Sequence, residues 1–261
     1  KGCTTYLSPE IVKKVYDKVI SLGYEAKLIE TNVLYRGSRF NTANHIKTAH
    51  DHGFDFADID ILDGEKGDDY IEVGIKSGVA NSVFLGKGVK RYDSLIILSH
   101  FKGHMLAGYG GVFKNLGMGF ACRRGKLRMH AEINPSINKE KCNACGLCIK
   151  ECNYNAITLT PKAHINNKNC VGCAMCIAAC KYSAVRIPWG DTCEEDFQKK
   201  IVDYANAVFE IVPIDNCIFI NFATNITKDC DCMGYSQKPL MGDIGYLYGT
   251  DPVAIDKACL D

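Results

Sequence analysis

The chain has 261 residues, with 31 lysines and arginines against 30 aspartates and glutamates, a formal net charge of +1, and 15 cysteines. That balance gives no overall basic character to recruit nucleic acid, no apolar run approaches the roughly 20 residues needed to span a bilayer, and the length allows one large or two smaller domains. So many cysteines in an otherwise ordinary soluble composition point to a reducing compartment, the cytoplasm of an organism living with little oxygen.

Ser8-Pro9-Glu10 opens a helix whose apolar stripe is Ile11, Val12, Val15, Tyr16, Val19 and Ile20, ending at Gly23. A strand normally precedes such a helix in an α/β domain. The chain starts at Lys1 without methionine and stops at Asp261 within another predicted helix, so sequence is expected beyond both ends. Ala26–Glu30 is predicted as a strand and Asn41–His52 as a helix closed by Gly53. His45, His50 and His52 lie on that helix without a carboxylate at ligand spacing, and the last two suit the dipole of its final turn, so no metal site is expected there. The acidic stretch Asp55–Asp63 is expected as solvated strand edge and loop. Ser94–Ser99 (SLIILS) reads as a short, fully buried strand.

That strand feeds a stretch rich in glycine and cations: His100, Phe101, Lys102, Gly103 and His104, then GYGGVFKNLGMG (108–119), then Cys122, Arg123 and Arg124. Ligands in open α/β sheets collect at the carboxyl ends of strands, where this stretch should lie. It is neither a P-loop, which ends in Gly-Lys-Ser/Thr, nor Gly-x-Gly-x-x-Gly. Its glycines let backbone N–H groups approach a ligand, and its cations suit a carboxylate or phosphate. A long loop without secondary structure of its own is therefore expected to form a ligand pocket. Lys102, Gly110, Gly111 and Asn115 are the candidate binding groups; His100, His104 and Lys114 are the candidate acid–base and anion-binding groups. On the competing reading the glycines only make turns and the cations balance charge elsewhere.

Next comes one cysteine pattern twice: CNACGLCIKEC (142–152) and CVGCAMCIAAC (170–180), each Cys-x₂-Cys-x₂-Cys-x₃-Cys. With this spacing bacterial-type ferredoxins hold two [4Fe–4S] clusters, the fourth cysteine of each run serving the other cluster. The flanks repeat too: Ile137-Asn138 and Ile165-Asn166 precede the runs, and Tyr154-x-Ala156-Ile157 and Tyr182-x-Ala184-Val185 follow them. Cys142, Cys145 and Cys148 with Cys180, and Cys170, Cys173 and Cys176 with Cys152, are the expected ligand sets. Structural zinc commonly uses two separated cysteine pairs and disulfide frameworks mark small secreted domains; neither matches two four-cysteine runs. Asn153 and Lys181 stand where proline usually follows the fourth cysteine, which bears on the local turn rather than on ligation. Lys139, Lys141, Lys150, Lys162, Lys168, Lys181 and Arg186 face only Glu140 and Glu151. That excess either offsets anionic clusters or is an ordinary lysine surface.

Thr192-x-x-Glu195 reads as a capping box opening an amphipathic helix through Phe197, Ile201, Val202, Ala205, Val208 and Phe209. CIFINF (217–222) is another buried strand, followed by a strand at 244–248 and a helix begun by Asp251-Pro252. Between them lie Ala223-Thr224-Asn225 and Asp229-Cys230-Asp231-Cys232-Met233-Gly234. Cysteines two apart on an extended strand point to opposite faces, so joint action of Cys230 and Cys232 requires a turn. A third metal, a redox thiol pair and two inert thiols are all open readings. Cys3, Cys193, Cys217 and Cys259 stand singly on predicted elements and are expected in the core. The resulting fold class is α/β: an open, mostly parallel sheet domain over residues 1–133 and 191–261, incomplete at both ends, with residues 134–190 inserted as a ferredoxin-like two-[4Fe–4S] domain.

The segments TNVLYRGSRFNTANHIKTAHDHGF (31–54), FKGHMLAGYGGVFKNLGMG (101–119), DCDCMG (229–234) and DIGYLYGTDPVAIDKA (243–258) resemble the domain of unknown function 362 family of iron–sulfur proteins. With the cysteine repeat, the resemblance spans nearly the whole chain. It implies a cytoplasmic protein of anaerobic bacteria and archaea with two [4Fe–4S] clusters and an α/β body that begins with a further strand upstream of Lys1. It implies no particular reaction. Three functions compete: a redox protein, a possible oxidoreductase, passing electrons through its clusters to a ligand in the α/β pocket; a ferredoxin-type carrier with a docking body; and a non-redox enzyme with structural clusters. The expected partners are a redox protein and an anionic small molecule, with no nucleic acid and no membrane.

Overall fold

The structure is a computed structural model that describes residues 5–132 and 134–261. Cys3 lies outside the described residues. Pro9–Ser21 forms α1, with proline in its first turn. Leu28–Glu30 (β1) runs parallel to Ile59–Ile61 (β2), with Thr42–Asp51 (α2) between them; the Asn41 side chain accepts the Asn44 N–H and caps α2. Tyr70–Gly74 (β3) and Ser82–Gly86 (β4) make an antiparallel hairpin, and Leu95–His100 (β5) follows.

The glycine-rich stretch is not a structureless loop. Lys102–His104 (β6) pairs antiparallel with Gly108–Gly110 (β7), and then Val112–Phe120 (α3) and Arg123–His130 (α4) follow. Leu116 and Phe120 give α3 a buried apolar face, which packs on α7 (Glu194–Phe209). Gly117 permits that approach, since a Cβ there would lie 2.8 Å from the Ile201 carbonyl oxygen. The Thr192 capping box does not form: Cys193 is the N-cap residue of α7, and the Thr192 hydroxyl is buried facing Lys200 Nζ. Cys193 is accordingly exposed rather than in the core, whereas Cys217 is buried and Cys259 half-buried.

Residues 134–190 hold Ser136–Ile137 (β8), Leu147–Lys150 (α5), Ile157–Leu159 (β9), Ala163–Ile165 (β10), Met175–Ala179 (α6) and Val185–Arg186 (β11). β8 pairs with β11 and β9 with β10, both antiparallel, so the first repeat's start meets the second repeat's end. The backbone repeats where the residues do not. Left-handed φ occurs at Ala144 and Gly172, at Gly146 and Ala174, and at Asn155 and Ser183. For the two alanines this conformation costs about 1–2 kcal/mol each.

Cys217–Ala223 (β12) runs parallel to β5, with Cys217 opposite Leu95 and Phe222 opposite His100; Gly245–Gly249 (β13) adds antiparallel to its other side. Asp251 caps Pro252–Leu260 (α8) by accepting from the N–H groups of Val253 and Ala254. The expected open, mostly parallel sheet is thus a mixed α/β arrangement of small sheets, because hairpins interrupt the series and β13 joins antiparallel. Nor are β5 and β12 buried on both faces. Leu95, Ile97, Cys217 and Phe219 enter the core, while Ile96 and Ile218, opposite one another, are exposed. Period two decides this: only one face of the sheet receives helices.

Three apolar clusters result among the described residues, the smallest being Phe101, Ala223 and Ile226. The largest gathers Leu85, Val89, Leu95, Ile97, Leu116, Phe197, Ile201, Val208 and Phe219. The second gathers cysteines of both runs with Ile157, Ile165, Ile177 and Val185, and Leu34, Leu127 and Ala131 from the α/β body close it. Asp63, expected in solvent, is fully buried: it accepts from the backbone N–H and side-chain amide of Asn32 at 2.9 and 3.0 Å. His45 is also buried, and burial lowers its pKa to about 4.

Candidate functional site

Crossing of the two repeats brings cysteines from both runs to each of two cavities. One is lined by Cys142, Cys145, Cys148 and Cys180 with Ile137, Ala163 and Val185. The other is lined by Cys152, Cys170, Cys173 and Cys176 with Ile157 and Ile165. Each run thus turns its first three sulfurs to one cavity and its fourth to the other. Backbone donors point at these sulfurs: Ala156 N–H to Cys152 Sγ at 3.4 Å and Ala184 N–H to Cys180 Sγ at 3.2 Å. The N–H groups of Ala144 and Ala163 hold the Cys142 thiol below its usual range. Burial pushes the Cys148, Cys173 and Cys176 thiols up, and neighbouring cysteines add to the rise. Four thiolates facing one another would repel, so this donor set fits a cationic iron–sulfur core that joins them.

A second group forms where the parallel strands β5 and β12 end side by side. Asp231, between Cys230 and Cys232, is the hub: its carboxylate pairs with His100 Nδ1 at 3.0 Å and with Lys102 Nζ. Burial pushes its pKa up, but the hydrogen bonds and charges of His100 and Lys102 outweigh that and hold it below the usual carboxylate range. Anchoring Asp231 inward supports a turn in which Met233 N–H donates to the Cys230 carbonyl at 3.1 Å. That turn puts both sulfurs on one side, joined as a disulfide. A ring nitrogen of His104 and the two sulfurs lie within 4.8 Å of one another.

Around this hub, burial lowers the His104 pKa to about 4, with Lys114 adding to the fall and Asp229 opposing it. His130 on α4 is lowered to about 4 by burial, and His104 and Lys114 add to the effect. Lys114 is itself lowered by burial, with Asp231 and Glu30 opposing and Arg39 and Lys102 reinforcing. An anion bound beside Lys114 would oppose the burial that disfavours its charged form.

Of the residues after β5 and β12, His100 and Lys102 meet at Asp231, His104 lies with Cys230 and Cys232, and Lys114 is near enough to act electrostatically on His104. Three candidates do not offer free groups to a ligand. The Asn115 amide donates to the Leu98 carbonyl at 2.9 Å and the Ser99 hydroxyl at 3.1 Å, tying α3 to β5. At Gly111 the space for a side chain is filled by the Asp256 carboxylate, which accepts the N–H groups of Val112 and Phe113 at 2.7 and 3.2 Å. The start of α3 is thus capped from α8, and the adjoining Gly110 lies against the Lys114 stem. His100 also has both nitrogens engaged, the second with the Thr224 carbonyl at 2.9 Å, so it anchors rather than transfers protons. His130, Glu30 and Arg39 were not legible as site residues. Only the topology brings them near Lys114.

A mixed α/β body closing over a cysteine-rich unit defines the class. The chain belongs to the DUF362 family, described as a domain of unknown function, whose model matches residues 1–261. No curated protein matches it. Among solved structures it is similar to the lactate racemase apoprotein from Thermoanaerobacterium thermosaccharolyticum, with a TM-score of 0.51 and 11% identity over 98% of this chain and 45% of that one. The chain spans less than half of that protein's length, and the likeness is one of fold. No helix of the described residues is long and apolar enough to cross a membrane.

Proposed function

We propose that this is a cytoplasmic iron–sulfur redox protein in which residues 134–190 form a ferredoxin-type unit inserted into an α/β body of residues 1–133 and 191–261. Cys142, Cys145, Cys148 and Cys180 would hold one [4Fe–4S] cluster, and Cys170, Cys173, Cys176 and Cys152 the other. The observation that carries this reading is the pair of cavities, each lined by three cysteines of one run and the fourth of the other. Bound, each cluster supplies one-electron redox chemistry. The chain's own groups prepare the site: N–H donors stabilise sulfur charge, apolar Ile137, Ile157, Ile165 and Val185 exclude water, and Lys162 reaches the Cys142 carbonyl. A redox partner protein would supply or accept electrons, and the cations around Asp231 would bind an anionic small molecule.

Anaerobic reconstitution should yield about 8 iron and about 8 labile sulfide per chain, from 2 × 4. Stoichiometric zinc without labile sulfide would overturn the reading. Lys114→Ala should weaken binding of a carboxylate or phosphate ligand roughly tenfold or more, the order expected for removing a charged partner. Iron and sulfide should stay unchanged, since Lys114 lines neither cysteine cavity. Calorimetric titration with small carboxylates and phosphates, beside metal analysis, measures both.

A further inference from the structure

Cys230 and Cys232 are joined through no cysteine of the repeat, and the redox reading leaves them without a role. They are unequal: Cys230 is buried and Cys232 exposed. Their surroundings separate a metal centre from a redox pair. Two thiolates and an imidazole would make an acceptable zinc site with one open position. But His104 Nδ1 accepts the backbone N–H groups of Leu106 and Ala107 at 3.2 and 3.0 Å. With two donors on that nitrogen, the ring's single hydrogen sits on Nε2, and neither nitrogen has a free lone pair for a metal.

A run of aromatic rings leads from the sulfurs towards the cysteine-rich unit. His104 stacks on Phe197 at 5.9 Å between centroids, Phe197 meets His130 at 4.9 Å, and His130 meets Trp189 at 4.6 Å. Trp189 stands two residues beyond Ile187, which packs on the core of the two cysteine runs. His130 ends α4, whose Leu127 enters that same core together with the following Ala131 and whose Arg128 donates to the Val171 carbonyl at 3.3 Å, beside Cys170. The rings are thus attached to the cysteine-rich unit at one end and lie beside the disulfide at the other.

We infer that Cys230 and Cys232 are a reversible dithiol–disulfide pair that accepts electrons from the cysteine-rich unit along Trp189, His130, Phe197 and His104. The inference rests on the redox reading above and names the acceptor it lacks. The step is balanced as one S–S bond broken, two electrons arriving singly, and two protons taken from water to form two S–H bonds. Two one-electron centres match one two-electron acceptor. Exposure of Cys232 gives water, or an added dithiol, access to the bond.

The test uses the reconstituted full chain under anaerobic conditions, with iron and sulfide measured first. Reduced methyl viologen serves as the one-electron donor, and denaturing alkylation with mass analysis reads the peptide carrying Cys230 and Cys232. The peptide should be unlabelled before reduction and doubly labelled after it. Trp189→Leu, at a largely exposed ring, and His130→Leu should each slow labelling several-fold while leaving iron and sulfide unchanged. A Cys148→Ala, Cys176→Ala chain should keep the disulfide against viologen and lose it to dithiothreitol. The inference is overturned if the clusters load and the peptide is labelled before reduction or never labelled. It also fails if labelling is equally fast without clusters, or if stoichiometric zinc is lost on His104→Ala. Absence of iron and sulfide from the wild-type chain would instead sink the redox reading first, so the two failures are distinguishable.

Discussion

Cys152→Ala should deplete the cluster of the second run, not that of its own run. Cys152 lines the cavity of Cys170, Cys173 and Cys176, while Cys148, four residues earlier, lines the cavity shared with Cys180. The turn after α5 achieves this: Ala156 N–H donates to Cys152 Sγ, and left-handed Asn155 directs the chain into β9. Losing one of four thiolates leaves a cluster with an open iron position, and loss of about four of about eight irons is expected. Paramagnetic resonance of the reduced protein should then show one cluster without the interaction signature of two. Cys180→Ala should give the mirror result, sparing the cavity of Cys173. If Cys152→Ala and Cys148→Ala damaged the same cluster, the crossed arrangement would be wrong.

The largest effect on stability is expected from Arg123→Met. Arg123 is almost wholly buried, and its guanidinium donates to the Val33 carbonyl at 3.1 Å and to the carbonyls of Lys66 and Phe40. It also touches Met175 Sδ at 3.6 Å, so one side chain holds three segments of the body against α6. Methionine fills much of the volume but leaves those carbonyls without a donor, at about 1–3 kcal/mol each. Since the exposed ends regain some water, we expect a loss of roughly 3–5 kcal/mol, or about 6–20 °C in Tm for a chain of this size. Arg123→Lys should recover only part, because an ammonium cannot span the planar fork. Paired thermal and urea unfolding measures both variants. A loss under about 1 kcal/mol for methionine would show that the network is not structural.

These residues show where the reading of a linear chain stops. The grouping of the cysteines, three of one run with the fourth of the other around each cavity, was legible because their spacing is local, and helices α1, α2 and α8 were legible from proline, Asn41 and Asp251 at their starts. The strands β5 and β12 were legible as apolar runs, and their order in the chain already suggested that the two polar stretches would meet.

What period and composition leave open is which partner a group finds across the fold. Arg123 reads in the chain as one of the ligand-binding cations and Asp63 as a solvated charge, yet both are interior and already paired, because carbonyls at positions 33, 40 and 66 and the Asn32 amide converge on them. Gly111 looks like a ligand cradle until Asp256, far along the chain, fills it. Hairpin β6–β7 makes a structured arm of an expected loop, and with it His104 reaches Cys230 and Cys232. The physical reason is common to all of these. Hydrogen bonds and charges are short-ranged and indifferent to separation in the chain, so the residue types determine what can bind, while the tertiary structure alone decides what is already bound.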